Sequence, residues 1–269
     1  MPARTDPFVT GLVLGAGGSE RLGRPKQLLP YAEGTLLGHV VGTARACGFD
    51  QTIVAIGGSA VDVRAGVDLA GAEVVVNDGY GAGCSSSIAA ALAAVDARCD
   101  VMVLMLGDQP GVTAETVQVL LAGRGDGPLA VCRYDDGDGH PFAFARSVFA
   151  DLADLHGDKG VWRLLDRRAA DVERVPIAGP VPRDVDTPED YQAVLDALTA
   201  ALTTRCSTSS RMSRRSPSGS PPSTTSSTRA WRPRCSSASA SRSRCCSRAR
   251  RASARPKRPD RSRQCSTRR

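Results

Sequence analysis

Residues 12–30 read Leu-Val-Leu-Gly-Ala-Gly-Gly-Ser-Glu-Arg-Leu-Gly-Arg-Pro-Lys-Gln-Leu-Leu-Pro, a stretch whose first half is apolar and whose second half is a glycine-rich loop followed by Arg21 and Lys26. The run from Val9 to Leu14 suits a central strand of a parallel sheet, buried on both faces. Gly15, Gly17 and Gly18 remove the Cβ atoms that keep backbone N–H groups away from phosphate oxygens, and Arg21 and Lys26 add fixed positive charge. Two commoner glycine loops fail on spacing. A dinucleotide fingerprint opening at Gly15 needs glycine or alanine where Glu20 stands, and the Gly-Lys-Ser/Thr of a P-loop does not occur in the chain. The loop therefore reads as a triphosphate cradle of another kind, against the plainer alternative of a strand-to-helix turn with surface Arg and Lys.

Outward from this loop, strand and helix patterns alternate. Strands are expected over 10–14, 52–56, 73–76, 101–106, 129–133 and 173–176, and helices over 35–47, 60–69, 86–95, 114–123, 145–154, 161–168 and 188–203. Such alternation implies an α/β fold, a parallel sheet with helices on both faces. In open α/β sheets ligands bind beyond the carboxyl ends of strands, where strand order reverses. The loops after Leu14, Val76 and Leu106 all lie there, so the glycine loop, Asn77 and Asp108 can converge.

Asp108 follows the apolar run Val101-Met-Val-Leu-Met-Leu, which holds its carboxylate at a strand end. A hard oxygen donor in that place suits Mg²⁺, and the competing role is a turn or helix-capping aspartate before Pro110. Near the end of the alternating region, Asp184-Val185-Asp186-Thr187-Pro188 puts two carboxylates on one side of an extended segment just before a helix. One carboxylate can bind metal while the other orders the turn, or Asp186 or Thr187 can simply cap the helix.

The pattern Leu-Gly-Ala-Gly-x-Ser-x-Arg-Leu-Gly-x-Pro-Lys-x-Leu-Leu-Pro resembles that of nucleotidyltransferases of the molybdenum cofactor cytidylyltransferase type, within the wider nucleotide-diphospho-sugar transferase fold. Further matches follow in order: Asn77 before the turn ending Gly83-Cys84-Ser85-Ser86-Ser87, then Leu106-Gly107-Asp108-Gln109-Pro110, Gly139-His140-Pro141, Gly157-Asp158-Lys159-Gly160, and Asp184 to Asp190. The resemblance covers about residues 9 to 200 and implies a three-layer, Rossmann-like sheet.

It also implies a reaction: a phosphate of the acceptor attacks the α-phosphorus of a nucleoside triphosphate, and pyrophosphate leaves. Two anions must meet, so positioning and charge neutralisation carry the catalysis. Leu14, Gly15, Ala16, Gly17, Gly18, Ser19, Asn77 and Ser86 are expected to bind the nucleotide, with Arg21 on the β- and γ-phosphates. Lys26 is expected between α-phosphate and acceptor. Asp108 and Asp186 are the expected ligands of a Mg²⁺ cofactor. Cytidylyl-transferring relatives carry Leu-Ala-Ala-Gly and guanylyl-transferring ones Leu-Ala-Gly-Gly; Ala16 follows the first, as does Gly107-Asp108-Gln109-Pro110, so CTP is the expected donor. Gly15 departs from both and leaves more room beside the base. The acceptor implied is molybdopterin, a flat phosphate-bearing pterin, with His140, Lys159 and Arg163 as its contacts and a molybdoenzyme or its maturation chaperone as the onward partner. The same fold with a sugar-phosphate or phospho-lactate acceptor is the first alternative. A cofactor-binding carrier, or a nucleic-acid-binding protein acting through its tail, is the alternative of another class, and the intact Arg21, Lys26 and Asp108 set argues against it.

Composition divides the chain. Residues 201–269 hold 19 Lys and Arg against one acid, Asp260, a net +18, whereas residues 1–200 hold 16 basic against 27 acidic residues, a net −11. The segment also holds 19 serines and five cysteines with almost no large aliphatic residues, too little apolar surface to offset ordering entropy. We expect a transferase domain over 1–202 and a disordered, basic Ser/Arg-rich tail over 203–269. The abrupt shift after Leu202 reads as an extension translated out of frame; nonspecific nucleic-acid binding is its competing role. Cys47, Cys84, Cys99 and Cys132 lack Cys-x-x-Cys spacing, which speaks for reduced thiols rather than a metal cluster or disulfide framework. With no apolar stretch of spanning length and no leader pattern at the amino terminus, no membrane contact and a cytoplasmic location are expected.

Overall fold

The computed structural model describes residues 6–212, with side chains to residue 203 apart from Glu20. Among these, the main sheet is built from β1 (Val9–Gly15), β4 (Gln51–Ile56), β5 (Glu73–Val76), β6 (Val101–Leu106), β7 (Leu129–Tyr134), β8 (Gly137–Ala145) and β9 (Val172–Pro176), in the order β5-β4-β1-β6-β8-β7-β9. The short strands β2 (Pro30–Tyr31) and β3 (Gly34–Thr35) form a separate hairpin. The helices are α1 (Leu36–Cys47), α2 (Ala60–Gly66), α3 (Cys84–Leu92), α4 (Ala114–Gly123), α5 (Phe149–Ala153), α6 (Gly160–Arg167) and α7 (Pro188–Met212).

Strand β1 is buried along its whole length and pairs in parallel with β4 on one side and β6 on the other. Side chains alternate across the sheet. Val9 and Val13, with Val101, Val103 and Met105, pack under α1 and α4 through Leu37, Val40, Val41, Val117 and Leu120. Leu12 and Leu14, with Met102 and Leu104, pack under α3, α5 and α6 through Ile88, Ala91, Leu152, Val161 and Leu164. This is the expected three-layer α/β arrangement. Each fully buried Leu, Ile or Phe contributes roughly 1.5–3 kcal/mol. Chain order reverses between β1 and β6, so the loops after both strands open into one crevice.

The sheet departs from the expected all-parallel one at β8. This strand runs antiparallel to β6 and to β7, with Leu104 opposite Phe142 and Leu129 opposite Phe144. No strand was expected over Gly137–Ala145, and a helix was expected from 145; the Gly, Asp and Pro residues of Gly137-Asp138-Gly139-His140-Pro141 favour turns locally. Phe142 and Phe144, both fully buried, supply the pairing surface that overrides the local turn chemistry. The helix starts only at Phe149, after β8 ends at Ala145.

Helix α7 begins at Pro188 behind a reciprocal cap. The Asp190 carboxylate accepts from the Thr187 backbone N–H at 3.0 Å, and the Asp190 N–H donates to Thr187 Oγ1 at 3.2 Å. Leu29, Tyr31, Leu36, Val185 and Val194 form a small core that packs α7 against the β2–β3 hairpin. The α7 backbone continues to Met212, beyond the end expected at 203; no proline or glycine interrupts residues 189–212. Residues 203–212, expected to open a disordered tail over 203–269, are thus the last turns of this helix, and the rest of that tail, from residue 213 on, lies outside the described residues. No described helix is long and apolar enough to cross a membrane.

Candidate active site

The crevice at the β1/β6 switch is a cavity of about 530 Å³ whose lining includes Leu14 to Gly18, Lys26, Gln27, Tyr80, Asp108, His140, Trp162 and Asp184. The glycine loop forms its floor. Gly17 and Gly18 have ordinary negative φ values, and a Cβ on either meets protein only at 3.6 Å, so neither backbone strain nor packing requires glycine there. What their small size leaves is room on the cavity side. The loop is held open from below by Gln27, a buried residue whose amide donates to the carbonyls of Gly15 at 2.8 Å and Gly17 at 2.9 Å. With those carbonyls turned inward, the intervening peptide groups can face the crevice. Ser19, at φ 56°, turns the chain, and its hydroxyl accepts from the Lys26 backbone N–H at 2.9 Å.

Lys26 reaches across the crevice to the two carboxylates singled out in the sequence. Its Nζ lies 2.5 Å from Asp108 Oδ2 and 2.8 Å from Asp186 Oδ1, while Arg21 donates to the other Asp186 oxygen at 2.9 Å. Burial opposes the charge on Lys26, but Asp108 and Asp186 outweigh it and hold its pKa above the ordinary lysine value. The hydrogen bond from Lys26 holds Asp186 below the usual carboxylate range. Neither aspartate caps a helix: Thr113 caps α4 and Thr187 with Asp190 caps α7. Asp186 arrives beside Asp108 because the Val185 backbone N–H donates to the Asp108 carbonyl at 3.1 Å and the Val185 side chain is fully buried. Close approach also shapes Gly107, where a Cβ falls 2.8 Å from the Leu14 carbonyl.

Two hard carboxylates that share one ammonium can also share one divalent cation. Among the described residues no three His, Cys, Asp or Glu side chains are grouped for metal binding. Water and phosphate oxygens then have to complete the shell, the usual situation for Mg²⁺ in phosphoryl sites. The donor set therefore fits a metal that comes with a phosphorylated ligand. Asp184 faces the cavity, and its enclosure by the walls, with the Asp108 charge next, pushes its carboxyl up to about 6. Cys84 also lines the cavity, but burial, with Asp158 adding, pushes its thiol up to about 11, which leaves it protonated and weakly nucleophilic.

The remaining sequence candidates divide. His140 lines the cavity as a buried imidazole stacked on Phe142 with centroids 4.0 Å apart, and burial lowers its pKa to about 3, so it is neutral. Trp162 stands edge-on to both rings. Lys159 and Arg163 are exposed and do not line the cavity; the Arg163 guanidinium donates to the His156 carbonyl. From the same segment Asp158 and Trp162 line it instead. Asn77 and Ser86 are not at its wall either. The Asn77 amide donates to Ser86 Oγ at 2.8 Å and Ser87 Oγ at 2.9 Å, and its carbonyl accepts from the Gly79 N–H, which braces the turn carrying Tyr80. Gln27 and Tyr80 escaped the sequence reading, because their places under the loop and on Gly57-Gly58 are set by the fold and not by any motif; Asp184, one of the two carboxylates noted before α7, lines the cavity.

Residues 11–172 match the family described as the MobA-like NTP transferase domain. Among curated proteins the chain is 31% identical over 199 residues to the nicotine blue oxidoreductase of Paenarthrobacter nicotinovorans, a match covering 70% of this chain and 97% of that protein. Among solved structures it is 51% identical to a Mycobacterium sp. strain JC1 homologue of Mycobacterium tuberculosis Rv0371c, covering 72% of this chain and 98% of that one with a TM-score of 0.69. Rv0371c from Mycobacterium tuberculosis H37Rv in complex with manganese is 46% identical, covering 70% of this chain and 98% of that one with a TM-score of 0.64. The glycine loop, the Lys26–Asp108 pair and the match across most of the folded region lead to one assignment: the chain belongs to the MobA-like NTP transferase family of nucleotidyltransferases.

Proposed function

We propose that the protein transfers CMP from CTP to the phosphate of a molybdopterin-type acceptor, releasing pyrophosphate, with Mg²⁺ as its metal. The observation that carries this reading is Lys26 held between Asp108 and Asp186 at the rim of an open glycine cradle. Asp108 and Asp186 would hold the metal, which when bound would offset the negative charge of the phosphates. The manganese complex of Rv0371c supports a divalent ion in a site of this type. Backbone N–H groups of Ala16 to Ser19 cradle the triphosphate, and Arg21 takes its β- and γ-phosphates. Lys26 supplies charge between the α-phosphorus and the incoming phosphate oxygen, where negative charge concentrates. An acceptor phosphate is ionised near neutrality, so no side chain has to remove a proton.

Ala16 supports a cytidylyl donor. The wall made by His140, Phe142 and Trp162 supports a flat heteroaromatic acceptor, since such rings stack offset or edge-on. Neutral His140 can donate or accept a hydrogen bond at the acceptor edge without adding charge. The same wall, together with the oxidoreductase named among the relatives, supports a second reading in which the cavity takes a flat aromatic substrate for an oxidation–reduction whose electrons are exchanged with a separate redox co-substrate. One experiment separates the two: the protein is incubated with each nucleoside triphosphate, Mg²⁺ and molybdopterin, and pyrophosphate is measured. Release that needs CTP, metal and pterin together is expected. Release without pterin dependence, or none with any triphosphate, overturns the reading.

A further inference from the structure

We infer that Tyr80 is the stacking platform for the base of the nucleoside triphosphate, an inference that rests on the triphosphate reading of this cavity. Tyr80 sits in a short 3₁₀ turn, Tyr80–Ala82, none of whose residues is buried, so the ring serves no core. It lines the cavity and stays 38% exposed, the sole aromatic among the exposed large hydrophobic side chains described.

Its seat is built into the chain. A Cβ at Gly58 falls 2.8–3.0 Å from the Tyr80 ring atoms, and one at Gly57 falls 2.8 Å from Tyr80 Cβ and 2.7 Å from the Ala16 carbonyl. Real Cβ atoms do not approach so closely, so glycine at both 57 and 58, after β4, is what lets Tyr80 pack against the backbone there. The same Cε2 atom that lies 3.0 Å from a Cβ at Gly58 comes 3.6 Å from the site of a Cβ at Gly18, so the ring borders the proposed phosphate cradle. Asn77, through Ser86, Ser87 and Gly79, fixes the turn that presents it.

The sheet order separates this aromatic from the other aromatic group of the cavity. Tyr80 lies over the end of β4, next to β1, whereas His140 lies on β8, beyond β6. A triphosphate seated over Gly17 and Gly18 with its α-phosphorus toward Lys26 and Asp108 has its base on the β4 side, within reach of the Tyr80 ring. An aromatic face attracts any base, because every base has a π-face. Tyr80 therefore supplies affinity for nucleosides without selecting among them, and selection falls to the loop backbone near Gly15 and Ala16.

Calorimetric titration with CTP, GTP and inorganic tripolyphosphate, in Mg²⁺ without acceptor, tests this in the wild type and in Tyr80→Phe, Tyr80→Leu and Tyr80→Ala. We expect the Ala and Leu variants to bind both nucleotides about tenfold or more weaker, with tripolyphosphate within twofold of wild type, and the Phe variant to bind like wild type. Unchanged nucleotide affinity in the Ala and Leu variants overturns the assignment. Equal loss of nucleotide and tripolyphosphate also overturns it, since Tyr80 then only shapes the loop. If CTP binds as expected but no pyrophosphate is released with pterin, the acceptor reading fails while the platform stands; a wild type that binds tripolyphosphate but no nucleotide better refutes the platform itself.

Discussion

Lys26 and Asp108 meet at 2.5 Å although 82 positions separate them in the chain, and the ammonium that joins them also reaches Asp186 at 2.8 Å. Lys26 comes from a 3₁₀ turn after the glycine loop, Asp108 from the end of β6, and Asp186 from the approach to α7. The parallel pairing of β1 with β6 brings the first two together, and the Val185-to-Asp108 backbone bond brings the third.

Lys26→Ala is expected to lower kcat by about 10²-fold while CTP affinity changes by no more than about threefold, because its charge is needed mainly where the transition state concentrates negative charge. Steady-state kinetics beside direct CTP titration gives the split. Loss of affinity with unchanged turnover assigns Lys26 to ground-state binding instead.

Asp108→Asn keeps size and hydrogen bonding but removes the carboxylate charge. Since Asp108 caps no helix, the variant is expected to melt within a few degrees of wild type. Its turnover is expected to fall roughly 10²-fold or more, equivalent to ~2.7 kcal/mol of transition-state stabilisation, with little recovery at raised Mg²⁺. A melting curve and a Mg²⁺ titration of pyrophosphate release decide the matter; near wild-type turnover removes Asp108 from the metal site.

Thr187→Ala breaks the reciprocal cap with Asp190 and is expected to cost about 1 kcal/mol of stability. Urea denaturation of wild type and variant measures it. Asp186 keeps both of its cationic partners in the variant, so CTP affinity is expected to stay within about twofold. A much larger loss of CTP affinity at unchanged stability assigns Thr187 a role at the site rather than at the helix.

His140 gives the protein an acid-side pH dependence. Its folded pKa of about 3 lies below the ordinary 6.5, so the unfolded chain binds a proton through that interval while the folded one does not. The contribution is fully present above pH 6.5 and is lost progressively as pH falls toward 3. His140→Phe is expected to lose less stability than wild type between pH 6.5 and 4, read from denaturation midpoints across pH. Parallel pH profiles show instead that His140 is protonated in the folded state.

The parts of this protein that were legible in its sequence are those set by neighbours along the chain. Apolar runs such as Val101 to Leu106 mark central strands because burial on both faces needs unbroken apolar sequence. The glycine loop after Leu14, which lines the cavity, was visible because the absence of side chains is a local property of the sequence. The carboxylates at 108 and 186 were visible as candidates, each with a capping role as competitor. Only tertiary structure removed the competitor, by placing Thr113 and Thr187 at the helix starts and Lys26 between the two acids. Strand β8 was hidden for the converse reason: Gly139, His140 and Pro141 have turn chemistry locally, and cross-strand burial of Phe142 and Phe144 overrides it. Gln27 under the glycine loop and Tyr80 on Gly57-Gly58 depend on contacts between segments brought together by the sheet. Such contacts carry no periodicity and no spacing, so the folded arrangement alone decides them.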